Sequence, residues 1–185
     1  SSGLDNTFFV NHIAHYAFCA HLYPLLGTST ASRVIVQSSL RYKAHTRPAC
    51  FKRYFQPTTQ LHTRSYADSK WANILFAYTL NNRAHEHGRK LSARIAHPGL
   101  VITHINSCAH DPDYLAPLKS LYRGRWTACL LQTASRLRMC QPSLSAATLP
   151  SLLAALSPSQ HTFYGPSGLY GLYGLPRPLN LPKID

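Results

Sequence analysis

Some segments of this 185-residue chain have apolar residues at helical spacing, and others are short apolar runs typical of strands. A short apolar, β-branched run typical of a fully buried parallel strand occurs at Arg33 to Gln37, and the next parallel strand is predicted at Leu91 to Ala96. A last strand is predicted at His161 to Tyr164. Helical spacing predicts an amphipathic helix over about residues 4–26 and another over about 143–156, with a broken helical segment over 112–140.

The clearest helical pattern covers about residues 65–87, and Gly88 is a suitable residue to end it. Its apolar stripe lies at helical spacing and is made of Trp71, Ile74, Leu75 and Tyr78. The preceding segment, 40–64, reads as a basic loop. The tail after Pro176 is predicted to be extended or disordered, because two further prolines follow there.

Charge narrows the range of functions. The chain has 19 Lys and Arg against 6 Asp and Glu, a net charge of +13. So few carboxylates argue against paired-carboxylate hydrolysis and against a calcium or magnesium site. A basic balance makes nucleic-acid binding an alternative, but the basic residues are dispersed and no recognition motif is present. No nucleic-acid partner is therefore expected.

Neither the cysteines nor the histidines form a metal-binding pattern. The 5 cysteines are odd in number and lack a Cys-x-x-Cys spacing, which favours free thiols in a reducing compartment. The 11 histidines include no pair with zinc spacing, so no metal is expected. The longest apolar stretches are too short to span a bilayer.

One spacing carries candidate chemistry. Tyr66 and Lys70 are four residues apart on a predicted helix, so their side chains share one face. A nearby ammonium favours the phenolate form of tyrosine, which makes the pair a proton donor and acceptor. The Ser38-Ser39 pair after the first strand adds a hydroxyl that can hold a carbonyl oxygen. Alone, this spacing is weak evidence, since chance produces it often.

Four ordered stretches and a tail motif strengthen the case. The stretches are Asn11 to Tyr16, Arg33 to Ser39, Tyr66 to Asn73 and His97 to Thr103, and the tail motif is Phe163 to Leu169. Together they resemble the second half of a short-chain dehydrogenase/reductase, in the branch with retinol dehydrogenases, the WW-domain oxidoreductase and protochlorophyllide reductase. The resemblance implies an α/β doubly wound parallel sheet (Rossmann-like) and an NAD(P)(H)-dependent oxidoreductase that interconverts a carbonyl and an alcohol.

The resemblance also implies residue roles. Tyr66 would be the catalytic acid/base, and Lys70 would assist it and bind the nicotinamide ribose. Ser39 would hydrogen-bond the substrate oxygen, and Asn11 would hold a water in the proton relay. Trp126 would contact substrate from a lid. The residues lining the nicotinamide would be Pro98, Gly99, Val101 and Thr103. Ala14 and Tyr42 depart from the branch, where glycine and histidine are usual.

The family's glycine-rich dinucleotide turn is not found in these residues. The first 100 residues contain only isolated glycines. Residues 1–175 are therefore expected to be the C-terminal part of a single dinucleotide-binding and catalytic domain, without the N-terminal strands, and 176–185 an extended or disordered tail. The sequence leaves open a fragment that is inactive alone, or a dimerising interaction module.

The resemblance implies NADP in preference to NAD, and a small apolar carbonyl or alcohol as substrate. It also implies a homodimer formed through the helices that carry Asn11 and Tyr66. A cytoplasmic location is expected. Mixed apolar and basic residues over 117–140 would suit peripheral contact with an anionic membrane.

We expect the 185-residue chain to bind NADPH weakly or not at all. The helix N-terminus that receives the pyrophosphate in such folds is not found among these residues. Calorimetric titration with NADPH measures this directly, and micromolar or tighter affinity would contradict the expectation.

Overall fold

A computed structural model of the chain describes residues 5–28, 31–45, 51–56, 64–101 and 140–184. The helical segment predicted over 112–140 falls almost wholly outside these ranges. Thr103 and Trp126, predicted to contact cofactor and substrate, lie outside them too. No helix in the described ranges is long and apolar enough to cross a membrane.

Four strands form one sheet in the order β1-β2-β3-β4. They are β1 (Ser32–Gln37), β2 (Leu91–Ala96), β3 (Phe163–Pro166) and β4 (Pro176–Leu179). The first three are mutually parallel, and β4 runs antiparallel to β3. The register of β1 and β2 starts with Ser32 opposite Leu91 and ends with Gln37 opposite Ala96. With helices packed on this mostly parallel sheet, the predicted α/β Rossmann-like class is confirmed.

The described helices follow the predicted pattern. The longest is α3 (Ser65–Glu86), which contacts both β1 and β2. Before β1 come a short helix α1 (Asn6–Phe8), a π-helical turn (Phe9–Ile13) and α2 (Ala14–Leu26). After β2 comes α4 (Leu144–Leu156), which contacts β1, β2 and β3. Two short 3₁₀ turns, Leu40–Ala44 and Lys52–Phe55, give structure to the predicted basic loop.

Three features differ from the sequence prediction by more than a residue. The first predicted helix is interrupted by the π-helical turn, which periodicity cannot reveal. The last predicted strand lies two residues later, at Phe163–Pro166. Within the tail that was predicted to be extended or disordered, Pro176–Leu179 pair with β3 as an edge strand. The prolines in this segment made a strand hard to predict, because proline has no N–H to donate and is found in sheets mainly on edge strands.

The main core lies between α3 and the sheet. Side chains of α3 such as Trp71 and Ile74 pack against Val36 of β1 and Ile95 of β2. Three of the four predicted stripe residues, Trp71, Ile74 and Leu75, belong to this cluster, whereas Tyr78 is 42% exposed. A smaller cluster on the opposite face joins β2 to α4.

Arg94 connects β2 to the end of α4 through hydrogen bonds. Its guanidinium is buried on β2 and donates hydrogen bonds to the carbonyls of Ala154, Ser157 and Ser159, each at 2.7 Å. Two of these carbonyls belong to the last turn of α4 and its C-cap, where backbone acceptors lack helical partners and the helix dipole favours a cation. A buried cation is thus stabilised by carbonyl groups.

We predict that Arg94→Met lowers the free energy of unfolding by about 3 kcal/mol, because three carbonyls, that of Ala154 buried, lose a charged donor. Urea denaturation measures the change. Arg177→Met, at an exposed arginine of β4, is the matched control and should change the free energy by less than about 0.5 kcal/mol. Equal effects of the two substitutions would contradict this role of Arg94.

Candidate active site

The candidate site lies at the carboxyl ends of β1 and β2. The Ser38-Ser39 pair follows β1, and the stretch from His97 to Val101 follows β2. Because Gln37 and Ala96 are opposite each other in a parallel pair, both stretches leave the sheet side by side. Ligands of open α/β sheets bind in the crevice outside the carboxyl ends of strands. The topology therefore brings these two predicted segments to one edge.

The first turn of α3 brings Tyr66 and Lys70 together. The Lys70 Nζ atom lies 5.5 Å from the centre of the Tyr66 ring, within the range of a cation–π contact. Nζ also lies 3.5 Å from the Gln37 carbonyl oxygen at the end of β1. Burial lowers the pKa of Lys70, which makes its ammonium a more ready proton donor. The predicted pairing of these side chains is thus observed.

Asn73, one turn after Lys70, connects three elements. Its Nδ2 donates to the Gln37 carbonyl at 3.1 Å and to the Asn11 carbonyl at 3.2 Å. Its Oδ1 lies 2.9 Å from His12 Nδ1. Burial is the largest influence on His12 and lowers its pKa, so the neutral ring that donates to Asn73 is favoured. Asn73 therefore holds the Asn11 backbone against the strand end that Lys70 also contacts.

The Asn11 carbonyl lies within the π-helical turn. A π-turn bonds each amide to the carbonyl five residues earlier and so disturbs the regular α-helical ladder. Asn11 lies in the middle of this turn, and its carbonyl accepts from a side chain of α3. Such turns occur frequently at functional sites. The backbone of Asn11 is thus fixed, while the predicted relay role of its side chain stays a prediction.

The two serines after β1 have different surroundings. Ser38 is buried, and its Oγ donates to the Lys70 carbonyl at 3.0 Å. Ser39 is half-buried, and its Oγ accepts from the Arg41 amide at 3.3 Å, at the start of a 3₁₀ turn. Ser38 therefore ties α3 to the strand end. Ser39, the predicted substrate contact, has the more accessible hydroxyl.

Asp68 lies inside the Tyr66 to Lys70 interval and faces the protein interior. It is 1% exposed and accepts a 2.5 Å hydrogen bond from the Tyr54 hydroxyl. The Tyr54 ring stacks on Phe8 with centroids 4.4 Å apart. Burial and the Asp68 carboxylate raise the pKa of Tyr54, so its proton stays in this bond. The loop segment that precedes α3 is thereby attached to the first turn of the helix.

The turn after β2 is fixed around His97. The His97 ring is buried, and its Nδ1 accepts from the Gly99 amide at 3.3 Å. Gly99 has φ +81°, and a Cβ there would lie 2.5 Å from the Leu172 carbonyl oxygen. Glycine is therefore required at this close approach. The following Leu100 amide donates to the same carbonyl at 2.7 Å.

Sequence reasoning missed Asn73, Asp68 and His97 as residues that position the site. Asn73 could have been found, since it lies three residues after Lys70 and so shares its helix face. Asp68 had no such signal, because its partner Tyr54 lies 14 residues earlier, outside the helix. His97 had none either, because its hydrogen bond to the Gly99 amide forms within a turn and has no periodic pattern. In the described ranges, no group of three or more metal-ligating side chains occurs.

Comparison with known proteins confirms the resemblance to short-chain dehydrogenases/reductases. Retinol dehydrogenase 14 from Mus musculus is 33% identical over 119 residues, which is 64% of this chain and 34% of that protein. Dehydrogenase/reductase SDR family member 13 from Bos taurus is 39% identical over 112 residues, 59% of this chain and 28% of that protein. The WW domain-containing oxidoreductase from Gallus gallus is 30% identical over 140 residues, 72% of this chain and 30% of that protein. No family model matches.

The chain thus spans about a third of the length of these curated relatives. A solved structure of an uncharacterised protein from Mycobacterium paratuberculosis superposes with a TM-score of 0.58 and 22% identity. The match covers 94% of this chain and 49% of that chain. At this identity the superposition supports the fold alone.

We predict that acid destabilises the protein partly through His97. Burial, with a smaller effect of Lys43, lowers the pKa of His97 to about 4. Below about pH 6.5, His97 is protonated in the unfolded chain but stays neutral in the folded protein. The contribution of His97 to the free energy of unfolding is therefore complete at pH 7 and falls as the pH decreases towards 4. The complete loss of this contribution would lower the free energy of unfolding by about 3 kcal/mol.

Thermal unfolding at pH 7 and pH 4.5 tests this on wild type and on His97→Asn, whose side-chain oxygen can replace Nδ1 as acceptor. The variant should lose less stability between the two pH values. His161→Asn, at an exposed histidine, is the control and should retain the wild-type pH dependence. Identical pH profiles for wild type and His97→Asn would contradict the prediction.

Proposed function

We propose that this chain supplies the proton-transfer and substrate part of an NADP(H)-dependent oxidoreductase that interconverts an apolar carbonyl and the corresponding alcohol. The observation that carries the proposal is the position of Lys70. Its Nζ lies beside the Tyr66 ring and the Gln37 carbonyl, at the carboxyl ends of two parallel strands. The dehydrogenase and reductase names of the matched relatives support the same reaction class.

The donor set suits the nicotinamide end of such a cofactor. An ammonium has three N–H donors, and the described residues place one acceptor, the Gln37 carbonyl, near Lys70 Nζ. Donors therefore remain for ribose hydroxyls. Pro98, Gly99 and Val101 leave β2 at the neighbouring strand end, and with Thr103 they are proposed to line the nicotinamide. When bound, the cofactor would supply the hydride.

The chain's own side chains would transfer the proton. In carbonyl reduction, the Tyr66 hydroxyl gives its proton to the substrate oxygen while the Ser39 hydroxyl donates a hydrogen bond to that oxygen. Lys70, with its pKa lowered by burial, then assists return of a proton to the phenolate. A water held near Asn11 would complete the relay. Oxidation of the alcohol follows the reverse order.

The relatives' names bear on substrate class. Retinol dehydrogenase 14 is named for an apolar alcohol, which supports a small apolar carbonyl or alcohol here. NADP is proposed over NAD on the branch resemblance alone.

A homodimer through α2 and α3 is a further part of the proposal. The helix α2 carries no Lys or Arg and exposes Tyr16 and Phe18, and neighbouring α3 exposes Tyr78. A cavity of about 260 Å³ lies between these helices. Apolar surface of this kind favours burial against a second protein surface. This face is also what the alternative function, a dimerising interaction module without catalysis, would use.

We predict that Tyr66→Phe lowers kcat about 100-fold or more, because it removes the transferable proton. The assay uses a protein that joins residues 1–185 to the N-terminal part of retinol dehydrogenase 14 from Mus musculus, with retinal as substrate. NADPH affinity should be retained, since Lys70 is unchanged.

Tyr78→Phe is the matched control, at an exposed tyrosine on the same helix, and should leave kcat within about twofold of wild type. If Tyr66→Phe kept more than about a tenth of the wild-type rate, the proton-transfer role would be wrong. A folded joined protein that binds NADPH yet reduces no apolar aldehyde would favour the interaction module.

A further inference from the structure

Residues 167–175, which form the β3–β4 loop, lie against both segments of the candidate active site. A Cβ atom at Gly171 would lie 3.2 Å from Cε1 of His97, directly after β2. The same Cβ atom would lie 3.7 Å from Cδ2 of Leu40, the residue that follows Ser39. The loop therefore borders the crevice at the carboxyl ends of β1 and β2, beside the predicted substrate contact Ser39.

Backbone hydrogen bonds fix the β3–β4 loop in this place. At its base, the Ser167 amide donates to the Leu175 carbonyl at 2.8 Å, and the Gly168 amide donates to the Tyr173 carbonyl at 2.7 Å. Near its middle, a loop carbonyl accepts from the Leu100 amide, after β2, at 2.7 Å. The loop is thus held at the site by tertiary contacts as well as by its own turns.

Tyr170, near the tip of this loop, has a strained backbone. Among the non-glycine residues that the structure describes, it alone has a positive φ, with φ +54° and ψ +14°. This left-handed conformation costs free energy in an L residue, because Cβ comes too close to the following carbonyl oxygen. The side chain is 76% exposed, so packing of the ring within the protein does not offset that cost.

The loop contains its own comparison, because the tripeptide Leu-Tyr-Gly occurs twice, at 169–171 and at 172–174. In the second copy, Tyr173 has a negative φ and is half-buried, and a Cβ atom at Gly168 would lie 2.8 Å from its ring. Packing thus explains a tyrosine there. At Tyr170, glycine would give the same backbone without strain. Strained residues that the fold does not require cluster at active sites and ligand contacts.

We propose that Tyr170 is a specificity-determining residue, whose ring contacts the apolar part of the substrate away from the reacting carbonyl. Ser39 and Tyr66 would hold the oxygen at the strand ends, and the apolar remainder would extend over the β3–β4 loop onto the Tyr170 ring. Aromatic rings provide a large apolar contact area for one side chain. The location of this contact rests on the proposed carbonyl and alcohol chemistry, whereas the contact itself is a binding interaction that requires no turnover.

The first test is binding of all-trans-retinol to the full 185-residue chain, measured by retinol fluorescence. Wild type should bind saturably. Tyr170→Ala removes the ring and should raise Kd about tenfold, whereas Tyr170→Phe keeps the ring and should leave Kd within about twofold. Leu175→Ala, at a 75% exposed leucine of the same loop, is the matched control and should also leave Kd within about twofold.

Thermal unfolding of the same chain separates the strain from the contact. Tyr170→Gly removes both the ring and the strain, whereas Tyr170→Ala removes the ring alone. The glycine variant should therefore melt about 2 °C or more above the alanine variant, while both bind retinol equally weakly. A glycine variant that melts below the alanine variant would contradict the strain from which the proposal is argued.

Turnover provides a measurement that a merely structural role would not change. In the protein that joins residues 1–185 to the N-terminal part of retinol dehydrogenase 14, Tyr170→Ala should raise KM for retinal about tenfold and leave kcat within about twofold. The KM for propanal, which is too short to reach the loop, should stay within about twofold. Equal effects on both aldehydes would assign Tyr170 to the structure of the site instead of to specificity.

Failure of this proposal can be distinguished from failure of the proposed function. A chain that binds retinol through Tyr170, in a joined protein that reduces neither aldehyde, would contradict the proposed function and support the contact. Equal Kd values for wild type and Tyr170→Ala, or no saturable binding to wild type, would overturn the contact itself. A dimer in sedimentation that Tyr170→Ala dissociates and Leu175→Ala does not would also overturn it, because the ring would then contact a second copy of this chain.

Discussion

Gln37 and Ala96 are the last paired residues of β1 and β2, and the candidate site is organised around this point. The Gln37 carbonyl points outward from the sheet, where Asn73 and Lys70 approach it from α3. A parallel pair places both strand ends at one edge, so the serine pair and the turn at His97 must emerge as neighbours. If β1 and β2 were paired in a different register, the side chains of α3 would not lie beside both strand ends.

Buried polar contacts then fix the rotation of α3. Asp68 points towards Tyr54, and Asn73 points towards the π-helical turn and the end of β1. These residues are five apart and lie on either side of Lys70 in sequence, so two separated attachments hold one short stretch of helix. Satisfied buried networks of this kind specify a unique arrangement, because a small rotation would leave polar groups unpaired in a low dielectric. The orientation of the Tyr66 and Lys70 pair follows from them.

The sequence predicted those features that depend on local periodicity. Leu91–Ala96 was predicted with its observed bounds, and α3 to within a residue, because apolar spacing and Gly88 define them. The pairing of Tyr66 with Lys70 followed from helical geometry. Features that depend on tertiary contact were not predictable. The Tyr54 to Asp68 hydrogen bond joins a loop to a helix, and the π-helical turn at Asn11 has no periodic signature.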